Sequence, residues 1–169
     1  MKYISLFSGI EAATVAWQTL GWEPVAYAEI EPFPKAVLKH HYPNVPDLGD
    51  MTKVNWKEYH HAADVVVGGS PCQAFSIAGL RKALDDPRGQ LMLEYLRACA
   101  EIDPEWIVWE NVPGVLSAEH GRAFQSLLEA VAELWPDGGA AWRVLDAQFF
   151  GVAQRRERVF LVVNTRDWR

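Results

Sequence analysis

The stretch Asp64-Val65-Val66-Val67-Gly68-Gly69-Ser70-Pro71-Cys72-Gln73 joins a β-branched run to a loop punctuated by Gly and Pro. Consecutive valines without polar alternation mark a strand buried on both faces, as expected of a central parallel strand, and its carboxyl end empties into the loop. Working outward, Tyr3-Ile4-Ser5-Leu6-Phe7 reads as a strand ended by Ser8-Gly9. Glu11 to Leu20 then carries Ala12, Val15, Ala16 and Leu20 at helical spacing. Pro24-Val25-Ala26-Tyr27-Ala28 is a second strand, Phe33 to Tyr42 a helix stopped by Pro43, and a third strand is expected just before Leu48-Gly49. Beyond a long loop reaching about Gly89, Gln90 to Ile102 reads as helix and Trp106-Ile107-Val108-Trp109 as strand. Phe124, Leu127, Leu128, Val131, Leu134 and Trp135 mark one face of another helix. Trp142 to Phe150 and Arg158 to Val163 form a terminal strand pair. The alternation predicts an α/β fold over 1–169: one domain, doubly wound, with a mostly parallel sheet whose ligands gather at the carboxyl ends of the strands.

Composition narrows the function. The chain has 169 residues, of which half are apolar, and 22 Asp+Glu against 16 Lys+Arg give a net charge of −6. Broad phosphate gripping relies on clustered Lys and Arg, so any nucleic-acid contact is expected to be local. With only Cys72 and Cys99, no signal peptide and no apolar run long enough for a bilayer, a cytoplasmic location is expected rather than a secreted or membrane one. The pairs His40-His41 and His60-His61, with His120, lack metal-ligand spacing, and neighbours on a helix point apart, so no metal site is expected. The eight tryptophans are scattered singly and read as core and rim aromatics.

Several groups could carry chemistry. Backbone N–H groups after Gly9 offer a place for an anion or carboxylate, yet Gly9-Ile10-Glu11-Ala12-Ala13-Thr14 has one glycine where a dinucleotide fingerprint needs three, which disfavours a pyrophosphate. Glu29 follows Gly9 by roughly 20 positions, where an acid at a strand end accepts from ribose hydroxyls. Asp50 is placed to accept from an adenine amino group. Taken singly, Glu29, Glu31 and Asp50 also read as solvated loop charges. Cys72, in a turn after a buried strand, stands where turn N–H groups lower a thiol pKa, whereas Cys99 within an amphipathic helix reads as core. Glu110-Asn111-Val112-Pro113 would bring a carboxylate to the strand end beside Cys72. Alternation sends Arg156 and Arg158 to one side, where two guanidinium forks can clamp a phosphate or a base edge.

Taken in order, Phe7-Ser8-Gly9, Glu29-Ile30-Glu31, Gly49-Asp50, Gly69-Ser70-Pro71-Cys72-Gln73, Glu110-Asn111-Val112 and Gln154-Arg155-Arg156-Glu157-Arg158 resemble the DNA cytosine-5 methyltransferase family over nearly the whole chain. The resemblance implies a Rossmann-like sheet binding S-adenosyl-L-methionine, and methyl transfer to carbon 5 of a cytosine flipped out of duplex DNA. It gives Cys72 the role of nucleophile at carbon 6, Glu110 that of the acid at ring nitrogen 3, and Asn111 a part in holding the loop. Arg156 and Arg158 would hold the flipped nucleotide, with Gln73 and Ser76 also on the DNA side. For the cofactor it implies Phe7, Gly9 and Ile10 at the methionine and adenine, Glu29 at the ribose, Ile30 and Asp50 at the adenine, and Pro71 and Leu91 on the pocket wall.

Two departures accompany the resemblance. Glu11 stands where the family has glycine, so a carboxylate would weaken cofactor binding if turned inward and be mildly favourable at a helix start if turned to solvent. The family also continues past the Gln-x-Arg-x-Arg strand with a target-recognition domain and two motifs that close the sheet, which Asn164 to Arg169 cannot hold. The resemblance thus implies the catalytic portion of a methyltransferase, either truncated or completed by a second polypeptide, with apolar surface left open. A cofactor-binding module without catalysis, or a nucleotide-handling domain with a structural thiol at Cys72, are the alternatives from other classes.

Overall fold

The computed structural model describes residues 1–70 and 87–166, the side chains of residues 87–90 excepted. Six strands form one sheet: β1 (Lys2–Leu6), β2 (Glu23–Ala28), β3 (Val65–Gly68), β4 (Trp106–Asn111), β5 (Gly139–Asp146) and β6 (Glu157–Asn164), in the order β2-β1-β3-β4-β6-β5. The first four are parallel, while β6 runs antiparallel between β4 and β5. The order reverses at β1, which puts the switch point of the sheet between β1 and β3, where an α/β crevice opens. Among the described residues four α-helices accompany it: α1 (Ala12–Trp17), α2 (Pro32–His41), α3 (Pro87–Ile102) and α4 (Arg122–Leu134).

The faces of the sheet differ in how well they are covered. Ile4, Leu6, Val66, Ile107, Trp109, Leu161 and Val163 meet Tyr95, Leu96, Cys99 and Ile102 of α3 and Phe124, Leu127 and Val131 of α4 in one buried cluster. Each large side chain buried there contributes about 1.5–3 kcal/mol, which makes this face the main core. On the opposite face a smaller cluster gathers Tyr3, Tyr27, Leu38 and Val65 with Trp17 and Trp22, so among the described residues cover is confined to the β2–β1 side. Over β3, β4 and β6, Val65, Val67, Trp106, Val108, Phe160 and Val162 line an open cleft of about 1120 Å³.

The structure departs from the sequence reading in four places. No strand precedes Gly49: Asp47 makes a single bridge to Tyr27, because the neighbouring prolines Pro43 and Pro46 bracket too short a stretch to pair. The expected helix from Glu11 shrinks to α1 followed by a 3-10 turn at Gln18–Leu20, and Val15 and Leu20 are exposed because nothing covers that side. Leu134, at the last turn of α4, is exposed as well. His60 and His61 lie not on a helix but after the 3-10 turn Trp56–Tyr59, where a left-handed His61 (φ 57°) brings the rings to 3.9 Å between centroids. Cys99 is fully buried, and burial pushes its thiol far above the usual range.

Candidate active site at the carboxyl edge of the sheet

The expected residues that fall outside the described part of the chain are Pro71, Cys72, Gln73 and Ser76. Of the remaining ones, Phe7, Gly9, Ile10, Glu29 and Ile30 gather around the end of β1 and Glu110, Asn111, Arg156 and Arg158 around the end of β4, while Asp50 and Leu91 are brought into neither group.

At β1, Phe7 (φ 54°) and Gly9 (φ 57°) turn the chain over the strand end. Ser8 Oγ bonds Ser5 O at 2.9 Å and accepts from Ala28 N at 3.1 Å, which locks this turn to β2. Glu29, 8% exposed, accepts from Gly9 N at 2.7 Å with Oε2 and from Ile30 N and Glu31 N, both at 2.8 Å, with Oε1. A carboxylate offers about four acceptor positions, so one remains on this group for a hydroxyl donor. Ile10 and Ile30 stay exposed. Asp50 caps the turn Met51–Lys53 through Thr52 N and Thr52 Oγ, and those bonds, followed by the bond to Lys53, hold its carboxyl below the usual range. Leu91 is half-buried on α3. The chemistry of this set, an acid beneath the glycine turn with exposed apolar side chains beside it, suits the hydroxyl of a ribose and an apolar ring next to it.

Sequence reasoning missed two residues here. Asp47 accepts from Glu29 N at 3.2 Å and Gly49 N at 3.0 Å, and Lys35 Nζ bridges Asp47 to Glu29 O, so this pair fixes the backbone that presents Glu29. Their only sequence signal was charge on either side of Pro43, which does not distinguish them from solvated residues.

Glu11 is turned inward rather than to solvent. In a left-handed conformation (φ 69°) it caps α1, with Oε1 accepting from Thr14 N at 3.1 Å, and is 1% exposed. Oε2 meets the geometric criteria of a hydrogen bond with no partner among the described residues. Burial raises its pKa above the ordinary 4.5, opposed by bonds from Ser5 and Thr14. Burial thus disfavours the charged form of this carboxyl.

At β4, the antiparallel register sets Glu110 opposite Phe160 and Asn111 opposite Val159. Glu110 and Arg158 thereby share a face, and Arg158 Nε stands 2.8 Å from Glu110 Oε1 in an ion pair. Gly69 makes room for this carboxylate: a Cβ there would stand 3.0 Å from Glu110 Oε2. Asn111 and Trp109 hold Ser70, two positions before Cys72. Asn111 Nδ2 donates to Ser70 O at 2.9 Å and Trp109 Nε1 to Ser70 Oγ at 3.1 Å, while Asn111 Oδ1 accepts from Val112 N. Gly69, Ser70, Glu110, Asn111, Val112, Arg156 and Arg158 line a polar recess of about 260 Å³. Asp146, a further residue missed in the sequence, accepts from Gln148 N at 3.2 Å, Gln148 Nε2 at 2.6 Å and Arg156 N at 2.9 Å. It thus pinches the β5–β6 connection at its base and sets where Arg156 begins.

The profile of the C-5 cytosine-specific DNA methylase family matches residues 1–169. The chain belongs to that family. Type II methyltransferase M.AquIA of Picosynechococcus sp. is 36% identical over 177 residues, covering 96% of this chain and 71% of that protein. A protein of Escherichia phage P1 named DNA N-6-adenine-methyltransferase is 45% identical over 215 residues, but this chain spans 97% of itself and only 28% of that relative. Against four further curated methyltransferases, each 34% identical, the chain spans between 32% and 49% of their length. S. pombe Dnmt2 methyltransferase shares the fold, with a TM-score of 0.75 at 20% identity, over 97% of this chain and 50% of that one. The methylase family thus accounts for the six-stranded sheet, and no helix among the described residues is long and apolar enough to cross a membrane.

Proposed function

We propose that this chain is the catalytic and cofactor-binding domain of a DNA cytosine-5 methyltransferase, acting on duplex DNA with S-adenosyl-L-methionine. The observation that carries the reading is the recess at the end of β4, where Glu110, Asn111, Arg156 and Arg158 converge beside the start of the segment bearing Cys72. The cofactor, when bound, supplies the methyl group as a sulfonium. Phe7, Gly9, Ile10, Glu29, Ile30, Asp50, Pro71 and Leu91 would hold it, with Glu29 taking the ribose.

The remaining chemistry belongs to the chain. Carbon 5 of cytosine is a weak nucleophile, so the Cys72 thiolate adds to carbon 6, forming a C–S bond and shifting electron density to carbon 5. Glu110 favours that addition by hydrogen-bonding ring nitrogen 3, and Arg158, already bonded to Glu110, fixes the carboxyl while Arg156 faces the nucleotide. After methylation a base takes the proton from carbon 5, the C5–C6 double bond re-forms and the Cys72 thiolate departs. Asn111 sets where the nucleophile's segment leaves β3, and Gln73 and Ser76 would face the DNA.

The bare cleft over β3, β4 and β6 supports a further polypeptide segment, in the same or a second chain, that covers this face and supplies target recognition. The acidic balance of the domain agrees with DNA reading placed elsewhere. The phage P1 relative's name raises a second reading, methylation of adenine nitrogen 6, which needs no covalent adduct. Both are separated by incubating the protein, with any covering polypeptide, with methyl-labelled cofactor and duplex DNA, then analysing the nucleosides. Label in 5-methylcytosine, and a Cys72-dependent adduct with 5-fluorocytosine DNA, support the proposal. Label in N6-methyladenine without an adduct supports the other reading.

A further inference from the structure

At the amino edge of the sheet, opposite the site just described, three segments meet: the turn before β3, the end of α3 and the exit of β6. His60, His61 and Asp103 gather there, each offering one ligand atom within 4.8 Å of the others. We propose that this cluster is a binding site for a zinc-class divalent cation, held by two imidazoles and one carboxylate.

The backbone presents these side chains in an uncommon way. His61 (φ 57°) and Asp103 (φ 54°) are both left-handed, a conformation non-glycine residues seldom adopt. Two bonds fix them there, His61 N to Ile102 O at 2.7 Å and Asp103 N to Cys99 O at 2.9 Å. His60 Nδ1 lies 3.0 Å from Glu101 O. A carbonyl only accepts, so Nδ1 carries the proton and Nε2 keeps its lone pair for a metal, the arrangement by which ligating histidines are oriented.

The carboxylate is prepared in a similar way. Arg166 donates to Asp103 Oδ1 at 2.8 Å and to Asp103 O at 2.9 Å, leaving Oδ2 turned to His61. His61 Nδ1 stands 3.4 Å from Oδ2. A charge-assisted hydrogen bond would draw these atoms to about 2.7–2.9 Å. Two ligands each ~2.0–2.1 Å from a tetrahedral ion lie ~3.3–3.4 Å apart, which is the spacing seen. His60 Nε2 makes the third ligand of the set, with water as the fourth, and imidazole with carboxylate suits zinc better than magnesium or calcium. The ion would clip the turn before β3 to the end of α3. None of these residues lines the open cleft or the polar recess, so the site is independent of the methyl-transfer reading.

The test is a calorimetric titration of the untagged protein with zinc chloride, alongside H60A, D103N and the double variant H40A/H41A. His60 is exposed and Asn tolerates left-handed backbone, so both single variants keep the fold, which circular dichroism checks. Expected are one-to-one binding, at least tenfold weaker binding in H60A and in D103N, no change in H40A/H41A, and a melting temperature that zinc raises in the parent and in H40A/H41A but less in H60A and D103N. Absence of stoichiometric binding at 100-micromolar zinc, on the order of the weakest useful affinity, overturns the proposal. So does a loss smaller than tenfold in either single variant, or an equal loss in H40A/H41A.

Discussion

Arg158 Nε sits 2.8 Å from Glu110 Oε1, an ion pair between two strands that run in opposite directions and are 48 positions apart in sequence (158 − 110). The pair ties the acid proposed for ring nitrogen 3 to the arginine proposed for the nucleotide, so the two should fail together. Glu110→Gln keeps the shape and removes the acid, and is expected to slow methyl transfer by about 10²–10⁴-fold. Arg158→Ala should cost a similar factor, and Arg158→Lys should rescue poorly because an ammonium lacks the planar fork. The double variant should be little worse than either single one. Single-turnover rates check this, with unchanged S-adenosylhomocysteine affinity showing that the fold is intact.

Asn111→Ala leaves Ser70 O and Val112 N without their side-chain partner in a buried setting. The expected loss of stability is about 1–3 kcal/mol, read from urea denaturation. Trp109→Phe removes only the bond to Ser70 Oγ and keeps most of the packing, so it should lose less.

Glu29→Ala strips acceptors from the N–H groups of Gly9, Ile30 and Glu31 at once. Calorimetry with S-adenosylhomocysteine should show binding weakened by at least about tenfold, the loss of one charge-assisted hydrogen bond. Lys35→Met, which frees Asp47 from its cation, should weaken binding less. Equal affinity in Glu29→Ala would remove this acid from the cofactor site.

Glu11 gives a pH dependence with a definite sign. Burial raises its pKa in the folded state above the unfolded value near 4.5. Between those two values the folded protein holds more protons than the unfolded one, so stability falls as pH rises through the window and is fully present below it. Glu11→Gln, which cannot ionise, should flatten that slope and be the more stable form at neutral pH. Melting temperatures from pH 4.5 to 8 measure it, and parallel curves for the two proteins would contradict it.

Much of the sheet was legible because its strands announce themselves. Val65-Val66-Val67 can satisfy two buried faces only in a central position, and the Glu110-Asn111-Val112 turn follows its strand as the spacing requires. Other features depend on partners that no local pattern reveals. Nothing in Gly9-Ile10-Glu11 foretells that the glutamate adopts positive φ and folds beneath its own helix. Asp47 and Asp146 are short acids near turns, and their roles appear only once the N–H groups of Glu29 and Arg156 arrive from elsewhere. His60 and His61 were judged by helical geometry, whereas they follow a 3-10 turn and a left-handed His61 brings their rings together. The expected roles of Pro71, Cys72, Gln73 and Ser76 rest on sequence alone.

The bare face of the sheet makes its own prediction. Val162 is exposed on β6, beside half-buried Phe160 and Val108, where a covered sheet would bury all three. Sedimentation at rising concentration should show reversible self-association of the isolated domain, and Val162→Glu should suppress it. A monomer at every concentration would mean that this surface tolerates water.

Asp146 closes the β5–β6 connection at its base, so residues 147–155 form a loop whose two ends are held by one carboxylate. Changes of length or sequence at its exposed tip, Phe149-Phe150-Gly151-Val152, are thereby insulated from the strand that carries Arg158. The domain possesses a natural graft point: a foreign segment inserted at Gly151 should leave the chemistry where it is while changing what the protein meets at its rim.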